Sequence, residues 1–346
     1  RQPDYEGGIS ELYRPARPGV PEARIPLVYD WLHKGWKLFY VPGKHINRGY
    51  CKDCIICKGA KGNMRKIEKK VDPHRETRPG YIWTMDGITV SHRSNEGSKH
   101  LVVLRCKATG VYKLIPLYKK SAIREELAAW IKEMRSHPAF STMSYPVVSY
   151  IETDNAGEWS MRNEEWLDLE ESAGFRTKWT SPDRKEELGY GESANKIVES
   201  VIKATLMQQA LPPQWRQACA ADAEWLLNRF PVTSKDVSVS IDGDRARPLE
   251  LLFRGAYSRR QIDRELPYYV PCGTPCLVHD TKIKGSALRP KVRWGIAYGM
   301  YREQPIFFCP YTKAIFRSKS YTAYRLKNVS YQKFLGLRKE QPTHKA

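Results

Sequence analysis

The chain has 346 residues, more than one ordinary core encloses, so two or three compact units joined by linkers are expected. A hydrophobic fraction of 41% supports folded domains, and a formal net charge of +20 is too large for a neutral surface and points to a polyanionic partner such as nucleic acid. No stretch approaches the run of about 18 apolar residues that a membrane-spanning helix needs, and no apolar leader opens the chain, so a soluble, non-secreted protein without a membrane partner is expected.

The chain begins at Arg1 rather than methionine, which suggests a segment cut from a longer precursor or otherwise trimmed. Residues 1–27 carry five prolines (Pro3, Pro15, Pro18, Pro21 and Pro26) with Gly7, Gly8 and Gly19, and no helical or strand period survives that punctuation. A partly extended arm is expected there. A short apolar-aromatic segment, Leu27 to Phe39, follows with His33, then His45 and the cluster Cys51-Lys52-Asp53-Cys54-Ile55-Ile56-Cys57. With eight cysteines in all, three of them crowded here, metal ligation in a reducing compartment fits better than a disulfide framework. Residues 28–58 are therefore a candidate zinc module. Cys51 and Cys54 would supply two thiolates from one turn, and His33, His45 or Cys57 would complete a tetrahedron. The alternative is a turn with buried thiols. Residues 59–80 form a basic connector with Lys61, Arg65, Lys66, Lys69, Lys70, Arg75 and Arg78, suited either to solvent or to tracking a phosphate backbone.

From Tyr81 the pattern turns α/β. Strands are expected at about 81–90, 99–107 and 111–118, and a helix at about 121–135, capped by Ser121 with Ile123, Leu127, Trp130 and Ile131 inward. A strand follows at about 145–152, then a helix from Glu164 to Ser172 closed by Gly174, and a strand from Phe175 to Thr180. Ser181 to Tyr190, holding Glu186 and Glu187, reads as a loop leading into a helix from Glu192 to Ala210. One face of that helix carries Ile197, Val198, Val201 and Thr205, and the other Glu192, Lys196, Glu199 and Lys203. That polar face would look at the substrate, or be an ordinary solvated stripe. A further helix is expected over about 213–230, a polar linker over 233–247 with a short helix after it, and five short strands between 276 and 330 that suggest a small barrel, 268–332. Cys272, Cys276 and His279 could in principle bind metal, although no matched second pair follows as a zinc site usually has.

Three acidic positions stand out. Asp86 closes the apolar run Tyr81-Ile82-Trp83, Asp154 follows the run from Tyr145 to Ile151, and Glu192 opens a helix in this reading. Two carboxylates at strand ends with a third on a nearby helix can hold a pair of hard divalent cations, because Mg²⁺ prefers oxygen ligands and keeps positions open for phosphate and water. Sixty-seven residues separate Asp86 from Asp154, and 37 separate Asp154 from Glu192. Glu199 is a rival third ligand, two helical turns on along the same face.

Thr153-Asp154-Asn155-Ala156-Gly157-Glu158-Trp159, Gly191-Glu192 with Asn195, the pair Cys51 and Cys54 trailed by Lys58, and Leu226 to Pro231 with Pro248-Leu249-Glu250 resemble the motifs of the integrases of copia-type retrotransposons, within the retroviral integrase superfamily. The resemblance spans roughly Cys51 to Tyr331. It departs where the family's pair of histidines a turn apart is not visible, and where Tyr190-Gly191 replaces the usual Asn-Gly. What it implies is a ribonuclease-H-like catalytic core over 81–232 with Asp86, Asp154 and Glu192 as the catalytic triad holding Mg²⁺ or Mn²⁺, zinc at the N-terminal module, and a DNA-binding C-terminal barrel with a basic tail over 333–346. The implied partners are element ends, target DNA and further copies of the chain. Asn195, Lys196, Lys203, Lys313, Arg317, Lys319 and Lys327 are the expected DNA contacts, and the implied location is the nucleus after release from a cytoplasmic polyprotein.

Overall fold

The protein is described from a computed structural model over residues 76–141, 143–154, 159–160, 163–180, 185–209, 211–230, 247–253, 256–279, 292–301, 304–309, 312 and 314–323. The candidate arm, the zinc module with His33, His45, Cys51 and Cys54, most of the connector, and Lys313, Lys327 and the basic tail lie outside these residues. The described residues divide into two compact units, one drawn from 76–199 and 223–262, the other from 200–222 and 263–323. Among the described residues, no helix is long and apolar enough to cross a membrane.

The first unit is mixed α/β. Strands β1 (Ile82–Thr89), β2 (His100–Cys106) and β3 (Tyr112–Leu117) form an antiparallel meander, and β4 (Tyr150–Thr153) and β5 (Arg176–Trp179) then add in parallel on the other side of β1. The sheet order is β3-β2-β1-β4-β5. Helix α1 (Ile123–Ser136) links β3 to β4, and α2 (Glu164–Ala173) links β4 to β5, so each parallel pair is reached through a helical crossover.

Alternation along the strands separates two faces. Trp83 and Met85 of β1 with Val102, Leu104 and Cys106 of β2 join Ile123, Leu127, Trp130 and Ile131 of α1 and Trp166 of α2 in one buried cluster. The opposite face carries Thr84 and Asp86 of β1, which pair with Arg105 and Val103 of β2. Asn163 caps α2 by accepting the Trp166 amide, and Gly174 ends it in the left-handed region at φ 66°.

Several boundaries differ from the sequence expectation. Ser121 does not cap α1; it sits inside a single 3₁₀ turn, Lys120–Ala122, that hands the chain directly to the helix. Strand β4 begins at Tyr150 instead of 145, because Pro146 starts a turn closed by Ser149 Oγ donating to Pro146 O, and Val148 then takes a left-handed φ of 55°. Helix α3 (Lys185–Gln208) starts seven residues before Glu192, so Glu186 and Glu187 are helical and not in a loop. The run Lys185-Glu186-Glu187-Leu188 consists of good helix formers and outweighs Gly189 and Gly191, each of which costs only about 1 kcal/mol against alanine.

The second unit has a five-stranded antiparallel sheet in the order β10-β6-β7-β8-β9, with β6 (Pro275–His279), β7 (Val292–Tyr301), β8 (Gln304–Phe308), β9 (Ile315–Arg317) and β10 (Tyr321–Ala323). Only residues 318–320 separate its two edge strands. Such a connector reaches at most about 14 Å, whereas a flat five-stranded sheet would hold its edges about 19 Å apart, so the sheet must curl. The bonds agree: the Ser318 amide donates to Pro305 O beside β9, while the His279 amide of β6 donates to Ser320 O at 2.9 Å. Inside lie Val270, Cys276, Val278, Ala297, Phe307 and Tyr321. Helix α4 (Arg216–Arg229) contributes Asp222 and Cys219 to this unit; Asp222 is fully buried, accepts from Tyr269 Oη and the Cys272 amide, and burial pushes it up to about 7. Cys272 thus packs beside Cys219 and Cys276 lies in the sheet interior, so no zinc set forms with His279 among the described residues. The short helices α5 (Pro248–Phe253) and α6 (Arg259–Glu265) complete the described chain.

Candidate active site

Parallel pairing of β1 with β4 sets Trp83 beside Ile151 and Thr84 beside Glu152. Continued two residues further, this register brings Asp154, just past the end of β4, next to Asp86. Both share the face that Thr84 and Glu152 define, because side chains alternate with period two. Two aspartates 68 positions apart in sequence thus become neighbours through strand pairing alone.

Helix α3 lies over this point. Gly191 has no side chain, and a β carbon placed on it would sit 3.7 Å from Asp86 Cβ, so the helix backbone comes to the edge of contact with the aspartate. One turn on, Asn195 Nδ2 donates to Asp86 Oδ2 at 2.7 Å, and the other Asp86 oxygen accepts the Gly87 amide at 2.7 Å. Asn195 Oδ1 is buried with no hydrogen-bond partner among the described residues, an acceptor that an incoming donor would satisfy. Asp154 is oriented by Trp159, whose Nε1 donates to Asp154 Oδ1 at 2.9 Å. Trp159 in turn fits against Gly87, where a β carbon would come within 3.2 Å of the indole.

Glu192 is exposed and its Oε2 pairs with Lys196 Nζ at 3.1 Å. An exposed i,i+4 pair of this kind is worth about 0.3–0.5 kcal/mol, which a divalent cation would readily displace. Burial pushes the Asp86 carboxyl above its ordinary value; the Gly87 amide opposes this, and the negative charges of Asp154 and Glu192 raise it further. Asp86 therefore senses both other acids. Glu199 lies about 10 Å further along the helix axis than Glu192.

Among the described residues, no three His, Cys, Asp or Glu side chains form a preassembled metal cluster. The donor set nevertheless fits a hard cation: all three acids are oxygen ligands, and their mutual repulsion at Asp86 is excess negative charge that a cation would offset. Of the expected DNA contacts, Asn195 is half-buried and spends its amide on Asp86, Lys196 is exposed and held by Glu192, and Lys203, Arg317 and Lys319 are exposed. Sequence reading did not single out Trp159, Arg105 or Tyr190 as neighbours of the site. Trp159, four residues past Asn155 within the second-aspartate motif, and Tyr190, two residues before Glu192, lay inside the sequence motifs; Arg105 carried no signal.

A pH prediction follows from the Asp86 shift. An acid whose value is raised by folding lends stability below its ordinary value of 3.8 and loses it as the pH rises through the raised value. Divalent cation should restore what is lost. At neutral pH, Mg²⁺ at ten times its dissociation constant should raise the melting temperature by about 3–5 °C, and the gain should shrink as acid protonates Asp86. Differential scanning fluorimetry across pH with and without Mg²⁺ checks this; an equal gain at every pH would remove Asp86 from the cation site.

No protein-family model matches the chain, and none of the curated proteins matches it. Among solved structures, the chain is similar to one from the simian T-cell lymphotropic virus intasome in complex with PP2A regulatory subunit B56 gamma. The TM-score is 0.35 and the identity 14%, covering 72% of this chain and 84% of that one. It is also similar to the HTLV-2 integrase catalytic core domain in complex with magnesium. For the trimeric form the TM-score is 0.34 with 17% identity, over 50% of this chain and 96% of that one. For the dimeric form it is 0.34 with 18% identity, over 50% and 95%.

Proposed function

We propose that this chain is a metal-dependent polynucleotidyl transferase of the retroviral integrase superfamily, of the copia retrotransposon type, acting on the ends of its element's DNA and joining them to target DNA. The observation that carries the reading is the convergence of electrostatics and register on Asp86, which feels both Asp154 across the strand pair and Glu192 from the overlying helix.

Asp86, Asp154 and Glu192 would hold Mg²⁺ or Mn²⁺, which when bound polarises phosphoryl oxygens and lowers the pKa of water. The residues supply the rest. Gly87 and Asn195 fix both oxygens of Asp86, and Trp159 fixes one oxygen of Asp154, so these acids need little reorganisation to act. Glu192 stays exposed, on the side from which a DNA backbone can approach. The proposed reaction is hydrolysis near a DNA 3′ end, followed by in-line attack of the freed 3′-hydroxyl on a target phosphodiester, with no covalent protein intermediate. Zinc at Cys51 and Cys54 with His33 and His45, a closed C-terminal barrel that tracks the DNA backbone through Lys313, Arg317, Lys319 and Lys327, assembly of several copies, and action in the nucleus belong to the same proposal.

A strand-transfer assay with a short blunt duplex and Mg²⁺ or Mn²⁺ tests it. Joined products are the expected result. Cleavage without joining would make the chain a nuclease of the same fold, and neither product would make it a nucleic-acid-binding relic of a mobile element.

A further inference from the structure

The sheet face that carries Asp86 also buries a cation. Arg105 of β2 is 3% exposed, and its guanidinium lies 4.4 Å from the ring centre of Tyr190 and 5.2 Å from that of Tyr112 of β3. A guanidinium removed from water needs negative potential around it, and aromatic faces supply it. Tyr190 is tied a second way, its Oη donating to the carbonyl of Cys106 at 3.4 Å. Both contacts fall on β2, on the side of β1 away from β4.

Helical geometry gives this placement a consequence. At about 100° per residue, Gly191 and Asn195 point at Asp86, Tyr190 projects from one flank of α3, and Glu192 projects from the opposite flank. A roll of α3 about its own axis would swing Glu192 away from or toward the aspartates. Tyr190, clamped onto Arg105 and Cys106, opposes that roll.

We propose that Tyr190 and Arg105 form a latch that sets the rotation of α3 and so positions Glu192 against Asp86 and Asp154. Tyr190 is a positioning residue: it acts on Glu192 through the helix that carries both. This rests on the reading of the three acids as a cation site.

The test is cation affinity measured on the full chain, using Tb³⁺ as probe, with emission sensitised by Trp159 beside Asp154. Tyr190→Ala should bind Tb³⁺ about tenfold more weakly than the wild type at temperatures well below its melting point. Tyr190→Phe, which keeps the ring face, should bind within about twofold of wild type. If Tyr190→Ala does not fold, Tyr190→Leu takes its place, since leucine keeps apolar volume but offers no ring face. Arg105→Lys, which keeps the charge without the planar stack, should fall between the two tyrosine variants. A merely structural tyrosine would lower the melting temperature and leave Tb³⁺ affinity unchanged, and that outcome overturns the latch alone. A wild-type chain that binds no Tb³⁺, or a Glu192→Gln variant that binds as well as wild type, overturns the cation-site reading and the latch with it.

Discussion

Asp86→Asn is expected to abolish strand transfer, by about 10³-fold or more, while leaving the fold at least as stable as the wild type at neutral pH. The loss follows because Asp86 is the acid that both others face, so removing its charge weakens every cation position at once; about 4 kcal/mol of transition-state stabilisation corresponds to that factor. The gain in stability follows because the carboxylate is held above its ordinary value by burial and by Asp154 and Glu192, and an uncharged side chain escapes that penalty. Asparagine retains an oxygen to accept from Gly87 or Asn195, so the local bonds are largely kept. Asp154→Asn and Glu192→Gln should be comparably inactive, and Glu199→Gln should remain active. Gel analysis of joined products, with melting temperatures on the same preparations, reads all four. Activity in Glu192→Gln with none in Glu199→Gln would move the third acid two turns along α3.

Arg135→Met should cost about 3 kcal/mol of unfolding free energy, measured from the urea midpoint at unchanged slope. At the end of α1, this one side chain donates to four backbone carbonyls: Nε to Val147, one terminal nitrogen to Ala173, and the other to Val148 and Gly174. It therefore closes the C-terminus of α2 and pins the entry to β4 together. Val148, fully buried with a left-handed φ of 55°, sits at that entry and is an unfavourable conformation for a β-branched residue, costing on the order of 1–3 kcal/mol. Its own amide bonds to Gly80 O at 2.7 Å, so Arg135 and Gly80 hold the strained residue from both sides. Methionine keeps the aliphatic stem but leaves carbonyls without donors. Arg135→Lys, with a compact ammonium in place of the planar fork, should recover only part of the loss. Because Asp154 directly follows β4, the variant should also be less active at temperatures where it is still folded. A loss below about 1 kcal/mol would mean that water replaces the guanidinium at all four carbonyls.

Much of the first unit was legible because local rules and tertiary structure agreed there. Strands at 81–90, 99–107 and 111–118 appear within two residues of their expected ends, since each is an apolar run with the alternation or continuity that a sheet covered by helices demands. The core positions of α1 follow from a 3.6-residue period that needs no partner to be read. Boundaries slipped where two signals competed: polar Ser181 to Tyr190, with Pro182 and Gly189, read as a loop, and the helix formers Lys185 to Leu188 started α3 seven residues before Glu192.

Asp86, Asp154 and Glu192 could be proposed as a site from sequence because strand ends and a helix bearing Gly191 and Asn195 are local patterns with a chemical meaning. What those patterns could not contain is orientation. Strand register decides that Asp86 and Asp154 share a face, and close passage of α3 at Gly191 decides that Asn195 spends its amide on Asp86. A buried arginine between Tyr112 and Tyr190 has no signature in the chain, since the three residues fall on separate elements and each alone looks like an ordinary polar position. Composition and period fix which residues go inside and which elements form, because those depend on neighbours in sequence. Which carboxylate faces which, and what keeps it there, depends on pairing between segments far apart in the chain, and only the folded backbone sets that.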